Sequence, residues 1–278
     1  MRFTAPILAL CGTTLAHSLA PRQITSRCGA PAPSKELVDE AANEPSTDAR
    51  ARRLGIEVET YVHVVTTAES APLYDQAIVD RQIDVMNDAY APAGISYKNV
   101  GTTFTVNEAW ATGGLPESDT ELEMKTALRR GTYDTLNLYF LSDLGGGLLG
   151  FCYFPEKRVN SSILTLDGCT NLAGSMPGGD ATNYDLGLTA VHEVGHWFGV
   201  FHVFQNQSCE GRGDYVFDTP IQSAVTFGCP EGQDSCPGKG VDSIHNYMDY
   251  SFDACMTEFT FGQTLKMYKN YFLYRFAR

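Results

Sequence analysis

The residues best able to do chemistry lie together at positions 192–202, where the chain reads HEVGHWFGVFH. His192 and His196 are four apart, so on a helix both imidazoles project from one face, one turn apart. That spacing lets both nitrogens reach one zinc ion at ~2.0–2.1 Å. Glu193 follows the first histidine and can reach a water on that metal without binding the metal itself. A straight helix would carry residue 202 away. Gly199 permits an unusual backbone, and the chain can turn there to bring His202 back as a third ligand. Three histidines leave a fourth position open to water, the pattern of a catalytic rather than a structural zinc. The competing reading is a buried amphipathic helix with incidental histidines. It would bury three imidazoles and a carboxylate without compensation, at high cost.

Regular structure that could position these groups begins near Ile56. Glu57 to Thr66 carries Val58, Tyr61, Val62, Val64 and Val65, the composition of a strand. Leu73, Ala77, Ile78, Val79, Ile83 and Met86 recur at helical spacing, which predicts a helix over 72–90 with Pro72 in its first turn. A strand is expected at 95–106, a helix at 117–130 ending at Gly131, and a buried strand at 135–141. Gly145-Gly146-Gly147 reads as a loop and Ser162 to Leu166 as a short strand. The helix carrying the histidines spans 188–198. The stretch from Gly199 to Asp253 is loop-rich. A final helix covers 260–276, with Thr260 and Gln263 in capping-box positions. Strands alternating with helices argue for an α/β sheet backed by helices.

The N-terminus reads as a signal peptide over residues 1–18: Met1-Arg2, an apolar run from Phe3 to Leu15, then small residues. The run is too short to span a membrane, and no later stretch approaches the ~20 apolar residues that spanning needs. Residues 19–53, rich in Ala, Pro, Ser and charge, read as a pro-segment or irregular leader ending in Arg50-Ala51-Arg52-Arg53. The rest, 54–278, is one domain. The net charge of -13 argues against nucleic acid as a partner, because phosphate binding needs a basic surface. Of the eight cysteines, Cys11 leaves with the signal peptide and Cys28 lies in the leader. The remaining six suit three disulfides in an oxidising compartment. Asn160-Ser161-Ser162 and Asn206-Gln207-Ser208 are glycosylation sequons, usable in a eukaryotic secretory host. His63 and His245 read as structural.

Downstream of the histidines lies Asn246-Tyr247-Met248-Asp249-Tyr250. The extended histidine motif together with this methionine turn resembles the metzincin signature. Within that group the chain is similar to the pappalysin family, above all its small secreted microbial members. The matching residues are Arg27-Cys28-Gly29, HEVGHWFGVFH, the stretch GDYVFDTP over 213–220, NYMDY and the four C-terminal cysteines. The resemblance runs from Ser26 to about Gln263.

The resemblance implies a zincin-like α/β fold: a twisted mixed sheet with backing helices and an active-site helix in an upper lobe (54–199), then an irregular, disulfide-rich lower lobe (200–278). It implies a secreted, monomeric zinc endopeptidase acting on protein or peptide substrates. His192, His196 and His202 would hold one zinc, Glu193 would be the general base, and Met248 would floor the ligands. Tyr250 would ligate zinc or stabilise the oxyanion. It suggests Cys209–Cys236 and Cys229–Cys255 as bridges, which leaves Cys152 with Cys169. Asp214, Asp218 and Thr219 would hold a calcium ion, whose taste is for oxygen ligands; the alternative is an ordinary turn closed by side-chain-to-backbone bonds. Substrate would add as a strand beside Ile163 to Leu166. Near the methionine turn, Asp253 would favour a basic substrate residue, whereas Phe252 and Ala254 would favour an apolar one.

Cys28 is left over from three bridges. A thiolate is a strong zinc ligand and could fill the open fourth position, keeping the enzyme latent until a cut after Arg53 releases it. Relatives with an Arg-Cys-Gly leader point the same way. A disulfide to another chain, or no role, are the alternatives for Cys28. From a different class, a secreted zinc-binding protein without activity is the rival reading of the whole chain, against which the intact Glu193 and Tyr250 argue.

Overall fold

The computed structural model describes residues 24–43 and 55–276. The expected signal peptide and the Arg50–Arg53 site lie outside the described residues. In chain order the elements are β1 (Ser26–Cys28), α1 (Lys35–Ala42), β2 (Ile56–Thr66), α2 (Gln76–Tyr90), β3 (Ile95–Val106), α3 (Glu108–Gly113), α4 (Asp119–Leu128), β4 (Leu136–Leu141), β5 (Leu148–Cys152), α5 (Ser161–Leu166), β6 (Cys169–Leu172), α6 (Leu188–Trp197) and α7 (Phe261–Asn270). The strands form one mixed sheet in the order β1-β5-β6-β4-β2-β3. β2, β3, β4 and β6 are parallel, β5 runs against β6, and β1 runs parallel to β5.

β4 shows why the sheet sits in the middle. Every residue of its sequence LNLYFL is buried, as a strand covered on both faces requires. Leu136, Leu138 and Phe140 face the main core with α2 and α6. Tyr139 and Leu141 face the other side, where Ala111 of α3 and Met124 and Leu128 of α4 cover them. The main core therefore packs α6 directly onto the sheet and fixes the histidine helix against a rigid surface.

Several elements depart from the sequence expectation. Ser162 to Leu166 is not a strand: Asn160 caps a short helix there, its Oδ1 accepting from Ile163 N at 2.8 Å. An asparagine so placed satisfies a free backbone donor and starts a helix that short-range alternation conceals. Pro72 belongs to a separate 3-10 turn over Ala71–Leu73, and α2 starts only after Asp75, whose carboxylate accepts from Ile78 N. The helix expected over 117–130 runs over Asp119–Leu128 behind a Ser118 cap. β5, β6 and α3 are too short for periodicity to reveal.

The stretch expected as an irregular leader is not irregular throughout. Ser26–Cys28 extends the sheet, and Lys35–Ala42 forms α1, capped by Ser34. Leu37 and Ala41, one turn apart, bury against Phe201 and Tyr274. Two such residues among charged neighbours leave too thin an apolar stripe to stand out in sequence.

From Gly199 to the start of α7 the backbone is mostly irregular. Disulfides join Cys209 to Cys236 and Cys229 to Cys255 there, while Cys152–Cys169 staples β5 to β6. The capping box on α7 is present, with Thr260 and Gln263 serving each other's backbone. Past Asn270 the helix widens into a π-type turn over Tyr271–Arg275. There buried Arg275 bonds the Trp197 carbonyl at the end of α6 and the Asp167 carboxylate.

Candidate active site

α6 is buried along its whole length. His192 and His196 share a face, and the chain then reverses at Gly199, whose φ is +79°. Gly199 N donates to His196 O and Val200 N to Gly195 O, closing the helix end. A side chain at Gly199 would collide with the Asn270 amide, so the turn needs glycine for its backbone angle and for its lack of bulk. The reversal returns His202 to the first two histidines. His202 Nε2 lies 3.2 Å from His192 Nε2 and 3.0 Å from His196 Nε2.

The tautomers follow from the partners. His192 Nδ1 sits 2.7 Å from Tyr247 O and His196 Nδ1 2.8 Å from Val200 O. A carbonyl can only accept, so each Nδ1 carries the proton and each Nε2 is a bare lone pair. Burial holds all three imidazoles below their usual range, His196 at about 4, so all three are uncharged near neutrality. The lone pairs of His192 and His196 both point at His202 Nε2, an arrangement satisfied by a proton there or by a cation among the three nitrogens. This donor set suits a metal. Cys28 Sγ belongs to the same group: it and one nitrogen of each histidine all lie within 4.8 Å of one another.

Glu193 stands beside the cluster, fully buried. Its Oε2 accepts from Cys28 Sγ at 3.3 Å. Burial pushes this carboxyl up to about 8, against the pull of the Cys28 hydrogen bond and the Arg27 charge. Beneath α6, Met248 is wholly buried and its Sδ fills the place a side chain at Gly195 would need. The methionine turn is tied down by Asn246, whose side chain exchanges two hydrogen bonds with Gln263 and accepts from Met248 N. The ring of Tyr250 packs against His192 and His202, and its hydroxyl donates to Cys28 O at 3.1 Å.

Next to the cluster lies a buried ion pair. Arg27 is buried, with Nη2 2.8 Å from Asp253 Oδ1, Nη1 donating to Ser251 O and the guanidinium over the Tyr184 ring. Asp253 also accepts from Leu186 N. The sequence marks Asp253 only as one of two open possibilities, and nothing in it pairs that residue with Arg27, 226 positions away.

The residues of the expected calcium loop do not all come together. Asp214 Oδ1 accepts from Thr219 Oγ1 and Val216 N. Asp218 turns away to the start of α7, accepting from Thr260 Oγ1 and Gly262 N. His63 stands apart between Thr103 and Asn137, and His245 bonds the Cys255 carbonyl. Asn160 and Asn206 are both exposed.

Comparison with known proteins agrees with this geometry. The family model described as pregnancy-associated plasma protein-A matches residues 129–271. An extracellular metalloprotease of Pyricularia oryzae is 50% identical over 252 residues, covering 87% of each chain. Extracellular metalloprotease 1 of Coccidioides posadasii is 49% identical over 276 residues, covering 96% of each. Among solved structures, mature mirolysin of Tannerella forsythia in complex with a cleaved peptide superposes with a TM-score of 0.65 at 30% identity, over 77% of this chain and 90% of that one. A promirolysin mutant of the same organism gives 0.69 at 27% identity, over 85% and 87%.

Proposed function

This chain belongs to the pappalysin family and is a metallopeptidase, and from that premise we propose that it is a secreted zinc endopeptidase held latent by its own leader. One observation carries the catalytic reading: the Nε2 atoms of three histidines, two of them bare lone pairs by the partners of their Nδ1 atoms, converge beside the buried Glu193 carboxyl. Ligand nitrogens of a tetrahedral zinc lie about 3.3 Å apart, close to the spacings seen, and imidazole suits zinc. His192, His196 and His202 are the proposed ligands. Zinc held there would supply Lewis acidity to the scissile carbonyl and to the attacking water.

The chain's own groups would do the rest. Glu193 accepts a proton from the attacking water as its oxygen bonds to the carbonyl carbon, then passes that proton to the amine as the C–N bond breaks. The Tyr250 hydroxyl, once freed from the Cys28 carbonyl, would donate to the oxyanion of the tetrahedral intermediate. Met248 supports α6 from below. Because Ile163 to Leu166 are helical and offer no strand edge, peptide substrate would instead pair with the outer edge of β5, the edge that β1 occupies through Ser26–Leu148 and Cys28–Gly150.

The same contacts support latency. The leader lies on that edge, brings the Cys28 thiol among the imidazoles and pairs Arg27 with Asp253 beside them. That ion pair favours a substrate with a basic residue after the scissile bond, because removing Arg27 would leave the Asp253 carboxylate buried and uncompensated. Calcium at Asp214, Asp218 and Thr219 has less support, since Asp218 is engaged with α7. Names of relatives support secretion, and no helix of the described residues is long and apolar enough to cross a membrane. The test is hydrolysis of casein by the leader-free enzyme, abolished by a chelator and restored by zinc. Activity that survives exhaustive chelation would overturn the zinc mechanism.

A further inference from the structure

Glu193 presents its two oxygens to different surroundings. Oε2 accepts from Cys28, whose Sγ lies among the imidazole nitrogens. Oε1 points back into the protein and is buried with no hydrogen-bond partner. Behind it is Gly150 of β5. A Cβ built on Gly150 would come within 2.9 Å of Glu193 Cγ and 3.1 Å of Oε1. The same point lies 3.2 Å from Oδ1 of Asn171, the residue paired directly with Gly150 on β6. Asn171 is fully buried, and its Oδ1 also lacks a partner. Its Nδ2 reaches only the carbonyls of Tyr139 and Cys169, each at 3.5 Å, beyond ordinary N–H···O distances.

Gly150 does not have a positive φ, so no turn geometry calls for glycine there. Its missing side chain leaves a notch, and the Glu193 side chain fills it. Two buried oxygens without partners flank that notch, although a buried polar group left unmatched is costly. An asparagine amide offers a donor on one side and an acceptor on the other, and rotation of the amide exchanges them. With Nδ2 turned into the notch, in exchange for its two long contacts to the Tyr139 and Cys169 carbonyls, Asn171 would offer a donor to the rear oxygen of Glu193.

We propose that Gly150 and Asn171 form the seat of the general base: the glycine admits the carboxylate, and the Asn171 amide holds its rear oxygen so that Oε2 faces the reacting water. The inference rests on Glu193 being the base. Asn171 is a positioning residue, since it acts through Glu193 and not on the substrate.

The test compares Gly150→Ala, Asn171→Leu and Asn171→Asp with wild type and Glu193→Gln. Each is expressed as the full chain, activated, and measured for zinc content, thermal midpoint, kcat and KM on one peptide. Asn171→Asp keeps the shape of asparagine but cannot donate when ionised, so it stands in if the leucine variant fails to fold. All variants of the seat are expected to bind one zinc per chain, with KM within about twofold of wild type and kcat lowered roughly ten- to a hundredfold. A merely structural role would lower the midpoint and leave the kcat of the folded fraction unchanged. Wild-type kcat in Gly150→Ala and Asn171→Asp, with Glu193→Gln inactive, overturns the seat and leaves the base in place. An active Glu193→Gln removes the base, and the seat with it.

Discussion

Two regions of this molecule are built on different physics, and the proposed metal site lies on the seam between them. Up to the end of α6 the chain is sheet and helix, held by backbone ladders and an apolar core around β2, β4, α2 and α6. Beyond Gly199 it has little regular structure until α7; Val203, Phe204, Met248 and Met256 reach into that same core, and the rest is held by two disulfides and by side chains bonded to backbone. The first region supplies His192, His196 and Glu193. The second supplies His202, Met248, Tyr250 and Asp253. Two of the three proposed ligands and the proposed base come from a helix, whereas the third ligand and the groups around the site come from loops.

The largest effect should come from the helical side. Glu193→Ala is expected to retain zinc and lose kcat by about a thousandfold, within the range general-base removal produces. Metal analysis together with peptide turnover checks it, and substantial residual activity in the zinc-loaded variant would contradict the role. The next contrast tests whether the regions are separately held. Leu138→Ala in β4 should cost roughly 2–5 kcal/mol and lower hydrogen-exchange protection throughout the domain. Removing Cys229 and Cys255 together should cost about 3 kcal/mol and lower protection mainly over 205–260. Equal loss in both regions would show one cooperative unit instead of two. A third measurement concerns the loop side alone. Asp253→Ala should reduce kcat/KM for peptides with arginine after the scissile bond by about a hundredfold, the scale for losing one partner of a buried charge pair. Peptides with an apolar residue there should change little.

The smallest effect concerns pH, where the two regions should respond with opposite sign. Burial lowers His63 in the sheet to about 4. Its unfolded value is about 6.5, so stability present above pH 6.5 is lost as pH falls towards 4. Burial raises Asp214 in the loop region to about 7, despite the Thr219 hydrogen bond. Its unfolded value is about 3.9, so ionising it in the fold costs more as pH rises from 4 to 7. In calcium-free buffer, Asp214→Asn should raise the thermal midpoint by a few degrees at pH 7.5 and hardly at all at pH 4.5, on the usual scale of about 4 °C per kcal/mol. His63→Gln should narrow the difference in midpoint between pH 4.5 and pH 7.5. Parallel responses in the two variants would dissolve the contrast.

The two regions also differ in what could be read from the sequence. In the first, spacing carries the message: the i, i+4 histidines, the valines of β2 and the period of α2 each repeat a local geometry. Where local geometry is ambiguous the reading goes wrong, as at Ser162–Leu166, where one asparagine side chain decides for helix. In the second region the decisive contacts join distant residues. Arg27 with Asp253 and Asn246 with Gln263 follow from no periodicity. The disulfide partners there came from family likeness, because cysteine spacing alone allows several pairings. The rear of Glu193 was hidden for a related reason. Gly150 and Asn171 matter through the space between two strands, and neither residue belongs to a motif.

The leader is fastened in two places, by β1 on the sheet edge and by α1 on the patch around Phe201, where Glu40 also pairs with Lys269. A cut anywhere between residues 43 and 55 breaks neither attachment. It changes only the accounting of encounters. If the leader inhibits as proposed, then before the cut it is present at an intramolecular effective concentration, on the order of millimolar. Afterwards it is present at whatever concentration the surroundings allow. On that reading, a clipped chain kept concentrated would stay quiet, and the same chain diluted would shed its leader and begin to work. Under this arrangement scission grants permission and dilution sets the time.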